Sequence, residues 1–491
     1  MSMEGGLPAK AERLPRLKRP DVPRPGSGIV HLGLGAFYRS HGAIYIYEAM
    51  QKSGGDWGIV GVNLMTPPKQ RAIFEPQGFA YTAVSLAPEG IEPQVIPVLN
   101  DVLDAPDDPE AVLTLMADPK IKIVTSTVTE KGYCHFPSTG KLNREHPFIL
   151  EDLKDENRPK SALGYIVRAL DRRRKAGHRP FTVMSSDNLP NNGHVVHAVV
   201  VELAGMIDPE LQAWIEKEVT FPCTMIDRIV PATKPEDIER VAELTGVYDP
   251  VPVMHEPFRQ WVVEDKFVDG ERPDIGAVGA QLVDDVTPFE HMKLRCLNGT
   301  HSSISYLGYL AGKETIYDTV SDTVFAAYCK FLWEKEIIPA VDAPPGVSLT
   351  DYTAALFERY SNPSIRHLTW QIAMDGSQKL PQRILETVQE GLDAGRPVPG
   401  LSLAIAAWMR YVGGVDERGN PIDVRDPLAE RLKALSDAGA TPRDKVTALI
   451  GVSDVFPKTL QDNKDFVEGL VAAYEGLVEK GARAMAEAAV K

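Results

Sequence analysis

Gly28-Ile29-Val30-His31-Leu32-Gly33-Leu34-Gly35-Ala36-Phe37-Tyr38-Arg39-Ser40-His41 is the stretch whose reading decides the fold. A short apolar run closes on two glycines, and a helical pattern follows with Ile44, Tyr47, Glu48 and Met50. Strand, glycine turn, then helix is the context in which a dinucleotide's pyrophosphate is bound. Gly33 permits the tight turn, and Gly35 lets the backbone approach a phosphate seated on the helix N-terminus. Tyr38 stands where a third glycine is usual. A plain strand-to-helix turn would show the same two glycines, so the neighbours must decide.

Working outward, Trp57–Leu64 reads as a second buried parallel strand. An acid that would hold a ribose 2′-hydroxyl is missing after it; Asn63 stands there, and these residues leave NAD against NADP open. A third strand runs from Lys122 to Glu130. Ser161 N-caps a helix with Leu163, Ile166, Val167 and Leu170 on one face, and Gly177 ends it. Its basic run Arg172–Lys175 reads as a solvated helix end. Phe181–Ser186 returns to the sheet and leads into Asp187-Asn188-Leu189-Pro190-Asn191-Asn192-Gly193, polar residues at a carboxyl strand end where ligands bind. A helix from His194 to about Glu218 follows. Then comes an Asp227-Arg228 pair embedded in apolar residues, for which an internal ion pair is the simplest account.

From about Thr287 the pattern is helix after helix: Asp318–Lys335, Asp351–Tyr360, Leu401–Val412 and Lys464 onward. The expected class is α/β. A flexible arm (1–28) precedes a Rossmann-type dinucleotide-binding domain (29–286), and an all-α domain (287–491) follows.

At 491 residues, two domains are the natural expectation. A net charge of −15 argues against nucleic-acid and anionic-membrane partners. Cys134, Cys223, Cys296 and Cys329 lie far apart, giving neither a disulfide framework nor a zinc-ligand spacing. No apolar run approaches the roughly 20 residues needed to span a bilayer. A Pro-rich, basic N-terminus without an apolar segment points to a cytoplasmic protein.

Chemistry concentrates in Pro288–His301, which collects Glu290, Lys293, Arg295, Asn298 and His301. At about 100° per residue, Lys293, Asn298 and His301 fall near about 0°, 140° and 80° and share one broad face. A half-buried lysine beside other cations is shifted towards neutrality and can take a proton from an alcohol. An asparagine amide can donate to the oxygen where charge develops. A plain amphipathic helix ended by Asn298-Gly299 is the alternative. Arg366, His367, Lys379 and Arg383 form a last polar cluster, readable as a solvated face.

Six motifs in order, G-L-G-A-F-Y-R-S-H, T-V-T-E-K-G-Y, S-D-N-L-P-N-N-G, D-R-I-V-P, E-P-F-R-Q-W-V-V-E-D and K-L-R-C-L-N-G-T-H, resemble the long-chain polyol dehydrogenase/reductase family from about Ile29 to Asp426. The resemblance implies a zinc-independent oxidoreductase using NAD(H). Its lysine, asparagine and histidine fall on Lys293, Asn298 and His301. A second oxyanion donor falls on Asn188, a substrate-site aspartate on Asp227, and a proton relay on Glu290. The cofactor would be held by Leu32, Gly33, Leu34, Gly35, Ala36 and Phe37, with Asn63 and Thr129. Tyr38 replaces a histidine usual in the family, and Gln371 stands where polyol-oxidising members carry arginine.

Within the family the resemblance is to members that act on sugar acids, which implies a mannonate/fructuronate-type pair as substrate. A sugar carboxylate needs cationic partners, and Arg295, Arg366 or Lys379 can supply them. An uncharged polyol is the alternative. A non-catalytic NAD-binding sensor is a third reading, against which the full lysine, asparagine and histidine set argues. A monomer or homodimer is expected.

Overall fold

The structure, a computed structural model, describes residues 11–65, 69–136 and 139–491. Strands β1 (Ser27–Leu32), β2 (Gly58–Asn63), β3 (Leu99–Asp104), β4 (Ile123–Ser126) and β5 (Thr182–Ser185) form one sheet with every neighbouring pair parallel. Their order is β3-β2-β1-β4-β5, that of a doubly wound dinucleotide-binding sheet. The order reverses between β1 and β4, and ligands bind such sheets outside the carboxyl ends at that point. Both faces are buried along β1, β2, β4 and β5, which is why these strands read as largely apolar runs, whereas the edge strand β3 sets buried Leu99 and Val102 among half-exposed residues. Ile29, Ile59 and Ile123 enter one core, while Val30, Leu32, Val62, Val124 and Val183 enter another.

Local signals placed their elements well. Ser161 Oγ accepts from Gly164 N at 2.9 Å to open the helix Ala162–Ala176, and Gly177 closes it at φ 69°. The basic run at its end is only partly solvated: Lys175 is exposed, and Arg172 and Arg174 are half-buried. Arg173 is fully buried and donates to the carbonyls of Met116, Asp118, Ile121 and Arg179. A buried guanidinium needs acceptors on all sides, so this one clamps the helix end to the loop before β4. The helix expected over 194–218 is two, Asn192–Ile207 and Pro209–Glu218, because Pro209 has no N–H with which to continue the first.

Residues 1–10 of the expected arm lie outside the described residues. From Ala11 on, the segment is tied to the first unit rather than loose. Leu17 N donates to Tyr248 O and Tyr248 N to Pro15 O, both at 2.8 Å, and Arg19 reaches Leu99 O at 2.7 Å.

Two compact units are present, Met1–Thr287 and Pro288–Lys491. The second is helical. Its central helix Pro399–Tyr411 buries Leu401, Leu403, Ile405 and Trp408, and Lys464–Lys480 packs beside it. Three stretches of the described residues are π-helical: Lys293–Gly299, in the stretch expected as α-helix, Leu332–Ile337, at the end of the expected helix Asp318–Lys335, and Pro381–Leu385, where no helix was expected. Such segments are rare and gather at functional sites. Among the described residues, no helix is long and apolar enough to cross a membrane.

Candidate active site

In the first unit, the turn after β1 is built for close backbone approach. Gly33 has φ 86°, and a Cβ there would lie 2.2 Å from the Thr127 carbonyl oxygen. Gly33 N donates to Val62 O at 2.8 Å, so the turn, the end of β2 and the loop after β4 converge at the carboxyl edge. Gly35 is exposed, and a Cβ there would meet nothing nearer than Gly33 O at 3.8 Å. No side chain caps the helix Ala36–Ser40 that it opens. First-turn N–H groups above an open glycine turn are the donors a pyrophosphate requires, so the residues fit a dinucleotide. Gly33, Gly35, Ala36 and Phe37 present the turn, while Leu32 and Leu34 are buried beneath it.

Tyr38 occupies the missing-glycine position without loss. Its ring stacks on His31 with centroids 3.4 Å apart, and Gly42, one helical turn later, leaves it room: a Cβ there would come within 2.7 Å of the ring. The Thr127 hydroxyl donates to Gly33 O and therefore accepts from His31 Nε2, leaving Nδ1 as acceptor for Thr125 Oγ1 at 2.6 Å. Burial lowers His31 to about 3, which keeps it neutral.

Asn63, at the end of β2, donates at 2.8 Å to both Met65 O and Asp104 Oδ1. Asp104, ending the adjacent strand β3, also accepts from Gln70 N and Arg71 N. This carboxylate on β3 is thereby engaged with the helix Gln70–Phe74 that follows β2. Residues 66–68 lie outside the described residues.

Sequence reading passed over Asp187. Its buried carboxylate accepts from Val128 N and Thr129 N, both at 2.9 Å, and from the Tyr133 hydroxyl at 2.6 Å. Burial raises its pKa against these three donors. They hold Thr129 at φ 65°, a left-handed conformation costly for threonine. Asn188, next to this anchor, is exposed. The signal was an acid immediately before the asparagine at a strand's carboxyl end. Asp227 is buried as the last residue of the strand Thr224–Asp227. Arg228 donates to the carbonyls of Ser40, Glu256 and Pro257 at 2.5, 3.0 and 3.4 Å, bonds that fix the backbone around it.

In the second unit, Lys293, Asn298 and His301 are 9%, 8% and 6% exposed. Asn298-Gly299 does not stop the helix, which runs from Thr287 through the π segment to Leu310. On an α-helix, residues five apart point about 140° away from each other. An i→i+5 ladder widens the turn, drawing Lys293 and Asn298 towards one side. Gly299 is required here, since a Cβ would lie 2.5 Å from the Arg383 carbonyl oxygen of a neighbouring π segment. Glu290 sits half-buried one turn before Lys293.

His301 stacks on Tyr360 at 5.1 Å and meets the edge of His367 at 4.6 Å. Its Nε2 is buried and has no hydrogen-bond partner among the described residues. Burial first, then the positive surroundings of His367, Arg383, Arg359 and Lys379, push His301 well below its ordinary pKa. His367 falls to about 4, through burial, Lys379 and Arg359. Two neutral imidazoles therefore sit within a positive field.

The predicted carboxylate-binding cations divide. Lys379 belongs to this field, with Nζ 3.2 Å from Ile372 O. Arg295 does not: it is buried, forks onto Glu390 at 2.6 and 2.7 Å and donates to Ala340 O at 2.5 Å. Two residues along a helix turn a side chain towards the opposite face from Lys293. Arg366 is exposed and pairs with Glu314. Arg359 and Arg383, not Arg295 and Arg366, act together with Lys379 on His301; Arg383 Nη1 lies 3.2 Å from Ser302 Oγ. Its position four residues after Lys379 was a legible signal, whereas Arg359 offered none. Among the described residues, no group of three or more His, Cys, Asp and Glu side chains is placed to hold a metal.

Comparison with known proteins agrees with this geometry. The family model for the mannitol dehydrogenase Rossmann domain matches residues 27–276, and that for the mannitol dehydrogenase C-terminal domain matches residues 285–478. The chain is 49% identical to D-mannonate oxidoreductase of Escherichia coli, covering 94% of this chain and 96% of that one. It is 39% identical to mannitol 2-dehydrogenase of Emericella nidulans, covering 94% and 93%. The solved ternary complex of Pseudomonas fluorescens mannitol 2-dehydrogenase with NAD and D-mannitol superposes with a TM-score of 0.85 at 36% identity, covering 98% of both chains. The Rossmann-plus-helical architecture and the resemblance read from the motifs are thereby borne out, and the chain belongs to the mannitol dehydrogenase family of oxidoreductases.

Proposed function

We propose that this protein is an NAD(H)-dependent dehydrogenase interconverting a sugar acid and its keto form, the D-mannonate/D-fructuronate pair, with Lys293 as acid/base. One observation carries the choice of an acid over a neutral polyol: the positive field of Arg359, Lys379 and Arg383 around the neutral imidazoles of His301 and His367, with His301 Nε2 buried and unpartnered among the described residues. A site of that sign favours an anionic substrate, because a carboxylate gains most where water no longer screens the cations. The 49% identity to a D-mannonate oxidoreductase supports the same reading.

Bound NAD(H), with its pyrophosphate on the turn Gly33–Phe37, would supply the hydride acceptor or donor. In oxidation Lys293, uncharged, takes the hydroxyl proton; in reduction its ammonium returns it. Asn298 donates to the oxygen as negative charge develops, and Asn188 is the second donor, carried over from the family's S-D-N-L-P-N-N-G motif. Neutral His301 presents Nε2 to a substrate hydroxyl. Glu290, three residues before Lys293, passes the proton towards solvent. Asp227 is taken as a substrate-site group and Thr129 as a cofactor-binding group, both carried over from the family's motifs. No metal enters the scheme. An uncharged polyol is the second reading, favoured by the similarity to a mannitol 2-dehydrogenase solved with D-mannitol.

Turnover of mannonate, fructuronate, mannitol and fructose with both nicotinamide cofactors, followed by NADH absorbance, tests the assignment. The sugar-acid pair with NAD(H) is expected to lead. A charge-assisted hydrogen bond is worth roughly 1.5–3 kcal/mol, so Lys379→Met or Arg383→Met lowers kcat/KM for the acid by about 10- to 150-fold. Mannitol turnover changes little. Equal losses on acid and polyol, or faster oxidation of mannitol than of mannonate by the wild type, would sink the acid reading.

A further inference from the structure

The carbonyls of Cys296 and Leu297 lie inside the π segment, directly before Asn298. Each accepts from an aromatic side chain of another helix: Trp333 Nε1 donates to Cys296 O at 2.8 Å, and the Tyr360 hydroxyl to Leu297 O at 2.9 Å. Both side chains are buried. Their rings stack with centroids 6.1 Å apart, and Tyr360 stacks in turn on His301 at 5.1 Å. One aromatic column thus touches the third member of the lysine, asparagine and histidine set and supplies donors beside the second.

Where an i→i+5 ladder reverts to i→i+4, as it does at Thr300, the bonding at the junction is irregular. Thr300 N reaches back only three residues to Leu297 O, to which the Tyr360 hydroxyl adds a second donor, while Trp333 Nε1 supplies a side-chain donor to Cys296 O. A buried carbonyl without a donor is costly, so an unsupported segment would relax to the α-helical ladder. That relaxation would turn Asn298 away from Lys293. We propose that Trp333 and Tyr360 are positioning residues: their two side-chain donors hold residues 293–299 in the π register that aligns Lys293, Asn298 and His301 on one substrate oxygen. This rests on the reading of Lys293 as the proton acceptor.

Trp333→Phe and Tyr360→Phe each delete one donor and keep the ring, and the double variant deletes both. Misplacement on the order of 1 Å can cost about 10²-fold in rate. The double variant is therefore expected to lose about 10- to 100-fold in kcat, with unchanged NADH affinity and a displaced pH profile of kcat. A variant within about twofold of wild-type kcat overturns the proposal. So does a fall in kcat matched by a fall in NADH-binding stoichiometry with the pH profile unmoved, since that is loss of folded protein. If the wild type turns over no substrate in the panel, the functional reading fails by itself. The positioning role is then judged from a crystal structure of the double variant: a shift of residues 293–299 to i→i+4 bonding supports it, and an intact π segment refutes it.

Discussion

Lys293→Ala is expected to lower kcat by about 10²–10⁴-fold, the usual worth of a positioned proton-transfer group, while NADH binds as it does to the wild type. Lys293 is 9% exposed and opens the π segment that carries Asn298. The residues that fit the pyrophosphate, Gly33–Phe37, belong to the other unit, so cofactor affinity has no reason to follow the lysine. Truncation leaves a small space where the amine stood, and added primary amines should restore part of the rate. Steady-state kinetics and NADH fluorescence titration check both halves. A variant keeping kcat within about tenfold of wild type removes Lys293 from the mechanism. Loss of NADH binding in parallel would mean that it acts through structure.

Acid should destabilise the first unit far more than the second. His31, His41 and His255 are buried there and lowered to about 3, chiefly by burial. In the unfolded chain each takes up a proton near about 6.5. Between those values the unfolded state binds more protons than the folded one, so stability is lost as pH falls through the window. At pH 5 one such histidine favours unfolding by about 2 kcal/mol, and three by about 6 kcal/mol. That is comparable to the whole stability of a domain, about 5–15 kcal/mol.

The second unit holds His301 and His367, which act in the same direction, but also Glu336. Burial raises this carboxyl to about 7 while it accepts from Gly400 N and Leu401 N at 2.7 Å. The folded state holds its proton more tightly, so its contribution grows as pH falls and offsets part of the histidine loss. Scanning calorimetry from pH 7 to pH 5 should lower the first unit's transition by roughly 10–25 °C and the second's by less. A first-unit transition that moves by less than about 5 °C would show that its histidines are not held neutral.

Elements written by neighbours in the chain were legible from sequence. Gly33 and Gly35 announced the turn after β1 because a left-handed φ and a close approach are local demands. Ser161 and Gly177 announced a helix's two ends because capping bonds reach only three or four residues. The pairing of Lys293 with Asn298 and His301 was visible as a short spacing, though read on the wrong ladder. The hairpin Tyr81–Ala87 with Gly90–Ile96 was passed over although its strands are chain neighbours, whereas its parallel partner Val253–His255 and the buried role of Arg173 were not visible because their partners lie elsewhere in the chain.

The same division runs through the site. Arg295 stands two residues from Lys293 and reads as a substrate cation, yet Glu390, 95 residues away, takes its guanidinium. An ion pair forms with whichever carboxylate the fold brings near, and spacing along one helix cannot name it. The π register likewise follows from Trp333 and Tyr360, donors on other helices that reward carbonyls an α-helix would keep for itself. The amino-acid order by itself revealed four of the sheet's five strands, the glycine turn after β1 and the candidate residue types of the site; the edge strand Leu99–Asp104, where buried Leu99 and Val102 stand among half-exposed residues, was not read. Which cations gather around His301, and on which helical ladder Lys293 and Asn298 lie, were decided by tertiary contacts, because burial and hydrogen-bond satisfaction are settled only once distant segments meet.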